Sequence, residues 1–289
     1  MRRLTYYWIN VFTTEQDKGN TLPVFILKKT LSKESMQKIA TMMNQSETIF
    51  IENACSETPK LHIFTPMHEL PFAGHPIIGA LQIIQQLNAA FTIKQVETAA
   101  GIVNINIDQQ KQTYWIQAPI QPTQRESSLD IATTAKLLNL SEHQILSAPV
   151  WINTGSEQLL AELQDATAID SVKIDLDLFA QHATLRPGRT IIYLWSRDES
   201  NIYARFLYLN NGALCEDSGT GSACSNLGGF QVLRGNSGFT WNIRQGCLLG
   251  SECQLFLNVT PNQEIWIGGQ NRFMGTGELF WSDEEQSSH

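Results

Sequence analysis

The sequence predicts an α+β fold of two similarly laid-out halves, each rich in short strands and each carrying one Gly-led helix. Two observations carry this reading. Short segments alternate apolar and polar residues at the period of half-buried strands, as where Val103, Ile105 and Ile107 alternate with Asn104 and Asn106. Two small-residue turns, one per half, each run directly into helical apolar spacing. A third observation argues against a doubly wound nucleotide-binding sheet. No GxGxxG follows a strand, and no Gly-Lys-Ser/Thr stands in the Gly-rich stretch 212–221.

The elements follow in order. Ser32 caps a helix whose apolar face is Met36, Ile39, Ala40 and Met43. Strands over 48–51 and 61–65 lead to the first turn, in the segment ELPFAGHPIIGA at 69–80. Behind it Ile77, Leu81, Ile84 and Leu87 recur at helical steps. Further strands cover 103–107 and 114–116. The polar stretch 119–128, with Pro119 and Pro122, is the expected junction between halves. Strands over 191–195 and 202–209 lead to the second turn, in CEDSGTGSACSNLGGF at 215–230. There Ala223, Leu227, Phe230 and Leu233 form the helical series, and strands over 254–259 and 264–267 follow. The expected borders are 1–119 for the first half and 120–276 for the second, with the last strand, near 277–281, crossing back to the first.

Composition narrows the function. The chain has 289 residues, 42% of them apolar and 17% charged, ordinary values for a protein with a sizeable core. A net charge of −8 disfavours nucleic acid or anionic membranes as partners. The acidic run at 283–285 and the tail behind it read as a frayed end. No apolar run approaches a membrane span, and the N-terminal stretch lacks signal-peptide character. Cys55, Cys215, Cys224, Cys247 and Cys253 are odd in number and lack CxxC spacing, which points to a reduced, cytoplasmic compartment rather than disulfides or zinc. His62, His68, His143, His182 and His289 are scattered, so no metal is assigned.

A Gly turn opening a helix leaves backbone N–H groups and a positive dipole end unpaired, a ready site for a carboxylate. Two such ends facing each other across a cleft would hold a small acid, with Glu47, His75 and Asp217 beside them to move its protons. A buried carboxylate suits proton transfer. Each residue also has a plainer reading: Glu47 as a solvated loop residue, His75 as a polar helix start, Asp217 as a cap or turn residue. The adjacent Glu216 and Asp217 are expected to perturb one another as like charges.

At these residues the chain resembles the PhzF-like phenazine-biosynthesis isomerase family, within the diaminopimelate epimerase fold superfamily. The matching segments are Asn-Val-Phe-Thr at 10–13 with Gly19 and Asn20, Asn-Gln-Ser-Glu-Thr at 44–48, and Phe-Thr-Pro at 64–66. Next come Glu-Leu-Pro at 69–71 with Gly74 and His75, and Asn-Thr-Gly at 153–155. Glu216 and Asp217 with Thr-Gly-Ser at 220–222, Gln245 with Gly246, and Gly268 with Gly269 complete the series. The resemblance implies two similar domains, each a curved, mostly antiparallel sheet around a central helix. It also implies cofactor-free proton transfer on a small carboxylate-bearing metabolite, and a homodimer. It makes Glu47 the acid/base shuttle with His75 and Asp217 as neighbours, and it makes Asn20, Gly74, Thr220, Gly221 and Ser222 substrate-binding. The chain departs from the family at Ser218 and Gly219, where a Pro is usual, and at 206–209 after Arg205. Both places bear on substrate identity. Relatives on this fold racemise amino acids with a thiol before each turn Gly. Here Ala73 and Thr220 stand there, and Cys215 and Cys224 read as small buried apolar residues. An epimerase or racemase on the same fold is the alternative enzyme reading, and a non-catalytic binder of small acids or a dimeric scaffold is the alternative of another class.

Overall fold

The computed structural model describes residues 1–88 and 93–282, so the acidic run at 283–285 and the expected frayed tail lie outside the described residues. The fold is α+β, sheet-rich with few helices. The chain divides into two compact units. The first holds Met1–Gln16, Asn20–Ile116 and the chain from Gln270 onward; the second holds Asp17–Gly19 and Gln117–Gly269. Set beside the borders expected at 119/120 and 276/277, the chain changes unit after Ile116 and again after Gly269.

In the first unit β1 (Arg2–Val11) and β2 (Asn20–Leu27) pair antiparallel. After β2 the chain forms α1 (Lys33–Met43), capped by the Ser32 hydroxyl. The next strand, β3 (Thr48–Glu52), lies parallel to β2, and β4 (Lys60–Phe64) lies antiparallel to β3. Two strands then share β4. The two-residue β5 (Glu69–Leu70) pairs antiparallel with its end. Beyond α2 (Gly74–Leu87), β6 (Gln95–Thr98) pairs parallel with its start. An antiparallel meander continues through β7 (Gly101–Asp108) and β8 (Thr113–Gln117).

Strand β2 is buried on both faces. On one side Met36, Ile39 and Ala40 of α1 close over Leu4, Phe25, Leu27, Phe50 and Phe64. Phe25 stacks on Phe50 at 5.1 Å between ring centroids, and Phe64 meets Phe50 edge-on at 5.8 Å, both favourable aromatic geometries. On the other side α2 packs against β1, β2 and β3. The residues from Gly74 to Leu81 are buried on every side of α2, while Leu87, the last member of the apolar series, is 42% exposed. The helical series read from the sequence is only part of this buried surface, because a helix enclosed by strands needs apolar or small residues all round.

The second unit begins with β9 (Thr123–Glu126), followed by α3 (Ile131–Leu138), β10 (Val150–Asn153) and β11 (Gln158–Glu162). The three strands pair antiparallel in the order β9, β10, β11. The stretch expected as a plain junction thus contains a sheet strand. Its polar sequence fits an exposed strand, on which Arg125 meets Glu157 at 2.6 Å and lies over the Trp151 ring at 4.5 Å. Helices α4 (Ala166–Ser171) and α5 (Leu176–His182) and the short β12 (Thr184–Arg186) lead to β13 (Arg189–Asp198), which is parallel to β11. Strand β14 (Asn201–Asn210) pairs antiparallel with β13. Its end then pairs antiparallel with β15 (Ala213–Asp217). Its start pairs parallel with β16 (Phe239–Gln245), which follows α6 (Gly221–Leu233). Strand β17 (Cys253–Val259) and the first part of β18 (Ile265–Trp281) complete an antiparallel series. From Asn271 to Trp281, β18 instead pairs with β1 in the first unit, with a register shift between Trp8 and Ile9.

Helix α6 packs against β9, β10, β11 and β17. Its residues are buried from Ala223 to Val232, and Leu233 emerges at 44% exposure. Two adjacent glycines allow the close approach: a Cβ on Gly229 would lie 2.6 Å from Thr154, and one on Gly228 2.7 Å from Ile265.

Candidate active site

In the first unit the chain turns from β5 into α2 at Ala73, which takes extended backbone angles and offers no side-chain cap. The first-turn N–H groups of an α-helix have no partner within it, so those of Gly74 and His75 depend on something in front. Pro76 fits here because its missing N–H falls in that first turn. His75 is buried at 5% exposure, with its ring 6.3 Å from Phe12. Phe12 is itself held in the left-handed region at φ 65°, a costly conformation for a bulky residue and one with no sequence signal.

Glu47 reaches this helix start by a local device. Helix α1 ends at Asn44 in the left-handed conformation, and the chain reverses into β3 with Glu47 as the residue just before it. The Glu47 Oε2 atom lies 3.0 Å from His75 Nδ1, and His75 Nε2 lies 3.3 Å from the backbone oxygen of Asn20. A backbone carbonyl can only accept, so Nε2 carries a hydrogen. Nδ1 then either accepts a hydrogen bond from protonated Glu47 or, in the imidazolium, donates one to the carboxylate. Both forms share a single proton between Glu47 and His75. Glu47 Oε1 has no protein partner among the described residues, and the side chain is 20% exposed. Asn20 is buried. It serves His75 through its carbonyl, and its Oδ1 accepts from Ser46 Oγ at 3.4 Å.

In the second unit Asp217 ends β15, and Thr220 is the cap position of α6, again without a side-chain cap bond. The Thr220 hydroxyl donates to Asp217 Oδ2 at 2.6 Å. Gln245, wholly buried at the end of β16, ties the turn together. Its Nε2 donates to the Asp217 backbone oxygen and to Thr220 Oγ1, each at 2.9 Å, and its Oε1 accepts from the Thr220 N–H at 3.2 Å. Gly246 lets this strand end come so close. At φ 79° it would place a Cβ 2.7 Å from the Ser218 backbone oxygen. Ser222, half-buried in the first turn of α6, accepts a hydrogen bond from Gln158 Nε2 at 2.7 Å.

The expected coupling of Glu216 with Asp217 is not what the structure holds. Neighbours on a strand point to opposite faces. Glu216 turns to Arg205, whose Nη2 lies 2.8 Å and Nε 3.1 Å from its carboxylate, while Arg205 Nη1 donates to the Ile169 carbonyl. Cys224 is buried and burial pushes its thiol pKa well up, whereas Cys215, expected to be buried, is half-exposed on β15. Neither stands at a helix cap. Among the described residues no three His, Cys, Asp or Glu side chains are placed to hold a metal ion. No helix among them is long and apolar enough to cross a membrane.

The fold therefore gathers two separate groups of residues: Glu47, His75 and Asn20 within the first unit, and Asp217, Thr220 and Gln245 within the second. A model of the phenazine biosynthesis-like protein family, PhzC-PhzF, matches residues 9–274. The chain belongs to this family. An uncharacterized isomerase of Pasteurella multocida is 38% identical over 278 residues, covering 95% of this chain and 93% of that protein. The trans-2,3-dihydro-3-hydroxyanthranilate isomerase of Pseudomonas aeruginosa is 43% identical over a shorter stretch of 75 residues, 26% of this chain and 27% of that one. The crystal structure of a PhzF-family protein of Bacillus anthracis has the same fold, with a TM-score of 0.81 at 18% identity over 97% of this chain and all of that one. This PhzF-family chain is an enzyme of the isomerase type.

Proposed function

We propose that this enzyme moves a proton between carbon atoms of a small carboxylate-bearing metabolite without a cofactor, with Glu47 as the group that takes and returns the proton. One observation carries the reading. Glu47 has one carboxylate oxygen engaged by His75 and the other without a protein partner, so it is anchored and still available to a ligand. With the shared proton on His75, Glu47 is a carboxylate whose Oε1 takes the proton from one carbon and returns it to another, while the imidazolium holds Oε2. Asp217, Thr220 and Ser222, with the opening amides of α6 at Gly221, are assigned to the acid's polar groups. Gly74 and the α2 amides are assigned the same kind of contact in their unit, with Asn20 fixing the imidazole.

The two units are further proposed to be repeats of one design. The ladder order antiparallel, parallel, antiparallel runs through β1, β2, β3 and β4, and again through β10, β11, β13 and β14. Each series ends in a strand that takes one antiparallel partner before the enclosed helix and one parallel partner after it. The same order in both units supports placing the α2 and α6 starts in equivalent roles.

The test is solvent deuterium incorporation into a panel of small carboxylic acids that includes trans-2,3-dihydro-3-hydroxyanthranilate, the compound in the Pseudomonas relative's name. The expected result is incorporation into one or more members that needs Glu47. Analysis of the product separates a moved double bond from an inverted centre. Incorporation that proceeds at full rate in a folded Glu47→Gln protein would sink the assignment.

A further inference from the structure

A chain of buried amides runs through the second unit to Ser222, and backbone groups fix its direction. Asn226 of α6 is wholly buried. Its Oδ1 faces the Thr154 backbone N–H at 2.9 Å, and its Nδ2 faces the Ser156 backbone carbonyl at 2.7 Å. A backbone N–H can only donate and a carbonyl can only accept, so the orientation of this amide is decided by covalent structure. The second Nδ2 hydrogen meets Gln158 Oε1 at 2.9 Å. Gln158, 1% exposed, must then present its Nε2 at the other end, which donates to Ser222 Oγ at 2.7 Å.

From this we infer that Gln158 and Asn226 are positioning residues that make the Ser222 hydroxyl a directed donor to the substrate's carboxylate. Ser222 Oγ receives a hydrogen bond on one side. Its own hydrogen is therefore turned away from Gln158, and among the described residues it has no protein acceptor. A serine hydroxyl otherwise rotates and serves as donor or acceptor alike. Here the polarity is set two residues back, by a clamp of main-chain groups, and it favours a ligand that only accepts. A carboxylate does so; a ligand presenting an amine or amide N–H in its place is disfavoured. This inference rests on the proposed assignment of Ser222 to the substrate.

Neutron diffraction from a crystal of the wild-type protein in heavy water tests the polarity without any ligand. The expected map shows a Gln158 Nε2 deuterium aimed at Ser222 Oγ and the Ser222 deuterium aimed elsewhere. A Ser222 deuterium lying on the Gln158 oxygen overturns the inference. Binding of anthranilate, an aromatic acid that cannot undergo the isomerisation, tests the consequence. Gln158→Glu replaces the donor by an acceptor of the same shape and draws the Ser222 hydrogen to itself. It should weaken anthranilate binding by about 10-fold, the scale of one lost hydrogen bond to a charged group. In a Ser222→Ala background the same change should have at most a twofold effect. Equal weakening in both backgrounds would mean that Gln158 acts on the fold rather than through Ser222, and it overturns the inference. A wild-type protein with the expected deuterium map but the same anthranilate affinity as Ser222→Ala would instead overturn the assignment of Ser222 to the substrate.

Discussion

The Nδ1 atom of His75 and the Oε2 atom of Glu47 lie 3.0 Å apart, although 28 residues separate them in the chain, and one proton serves both. This contact makes Glu47 the centre of the proposed chemistry. Glu47→Gln keeps the shape and removes the proton-accepting charge. Turnover, measured by deuterium incorporation, should fall by the roughly 10²- to 10⁴-fold typical of lost general acid–base catalysis. Ligand affinity should change much less. A parallel fall in affinity and rate would mean that Glu47 binds rather than reacts.

The thiols give a contrasting expectation. Burial pushes the Cys224 and Cys253 pKa values up, so folding disfavours their ionised forms. In the unfolded chain a thiol ionises at about 8.5. Stability from this source is therefore fully present below that pH and is lost as pH rises above it. Thermal unfolding followed from pH 7 to 10 should show a falling midpoint, and the fall should be shallower in Cys224→Ala. Turnover of Cys224→Ala and Cys215→Ala should stay within a few-fold of wild type, because neither thiol sits at a helix cap. A large loss in a well-folded cysteine variant would favour racemase chemistry.

Arg205 and Glu216 form a largely buried pair, with side chains 12% and 8% exposed. Removing one partner strands the other charge. Glu216→Leu should cost about 3–5 kcal/mol in urea unfolding, and the double change Arg205→Met with Glu216→Leu should recover much of that loss. If the single and double variants are equally unstable, packing rather than stranded charge is the cause.

Gly246 is expected to tolerate no side chain. Alanine would have to take φ 79° and push against the Ser218 main chain, which cannot retreat like a flexible side chain. The left-handed conformation alone costs about 1–2 kcal/mol for a residue with a Cβ. Gly246→Ala should lower the thermal midpoint and also weaken ligand binding, because the displaced turn carries Asp217 and Thr220. An unchanged midpoint would show that the turn is free to move.

Much of this protein was legible in the order of its residues. The alternation at 103–107 marked β7, the Ser32 cap placed α1, and the two Gly turns marked the starts of α2 and α6, because cap and turn chemistry is local and leaves a local pattern. The segments around His75, Asp217 and Ser222 could be found for the same reason, whereas Glu47, which read alone as a solvated loop residue, was singled out by the family resemblance of its segment. The tertiary structure decided what these residues touch. The all-round burial of α2 and α6 depends on strands far away in sequence, so the helical series at 77–87 and 223–233 marked the helices without by itself showing what encloses them. Glu216 and Asp217 are neighbours in sequence but lie on opposite faces of a strand, and only the partner strand with Arg205 explains where Glu216 goes. Gln158 and Asn226 are unmarked amides in the sequence, and Gln245 stood out there only as part of a family segment. Their roles come from main-chain groups brought to them by the fold, since a buried amide takes its direction from whichever donor and acceptor stand on either side of it.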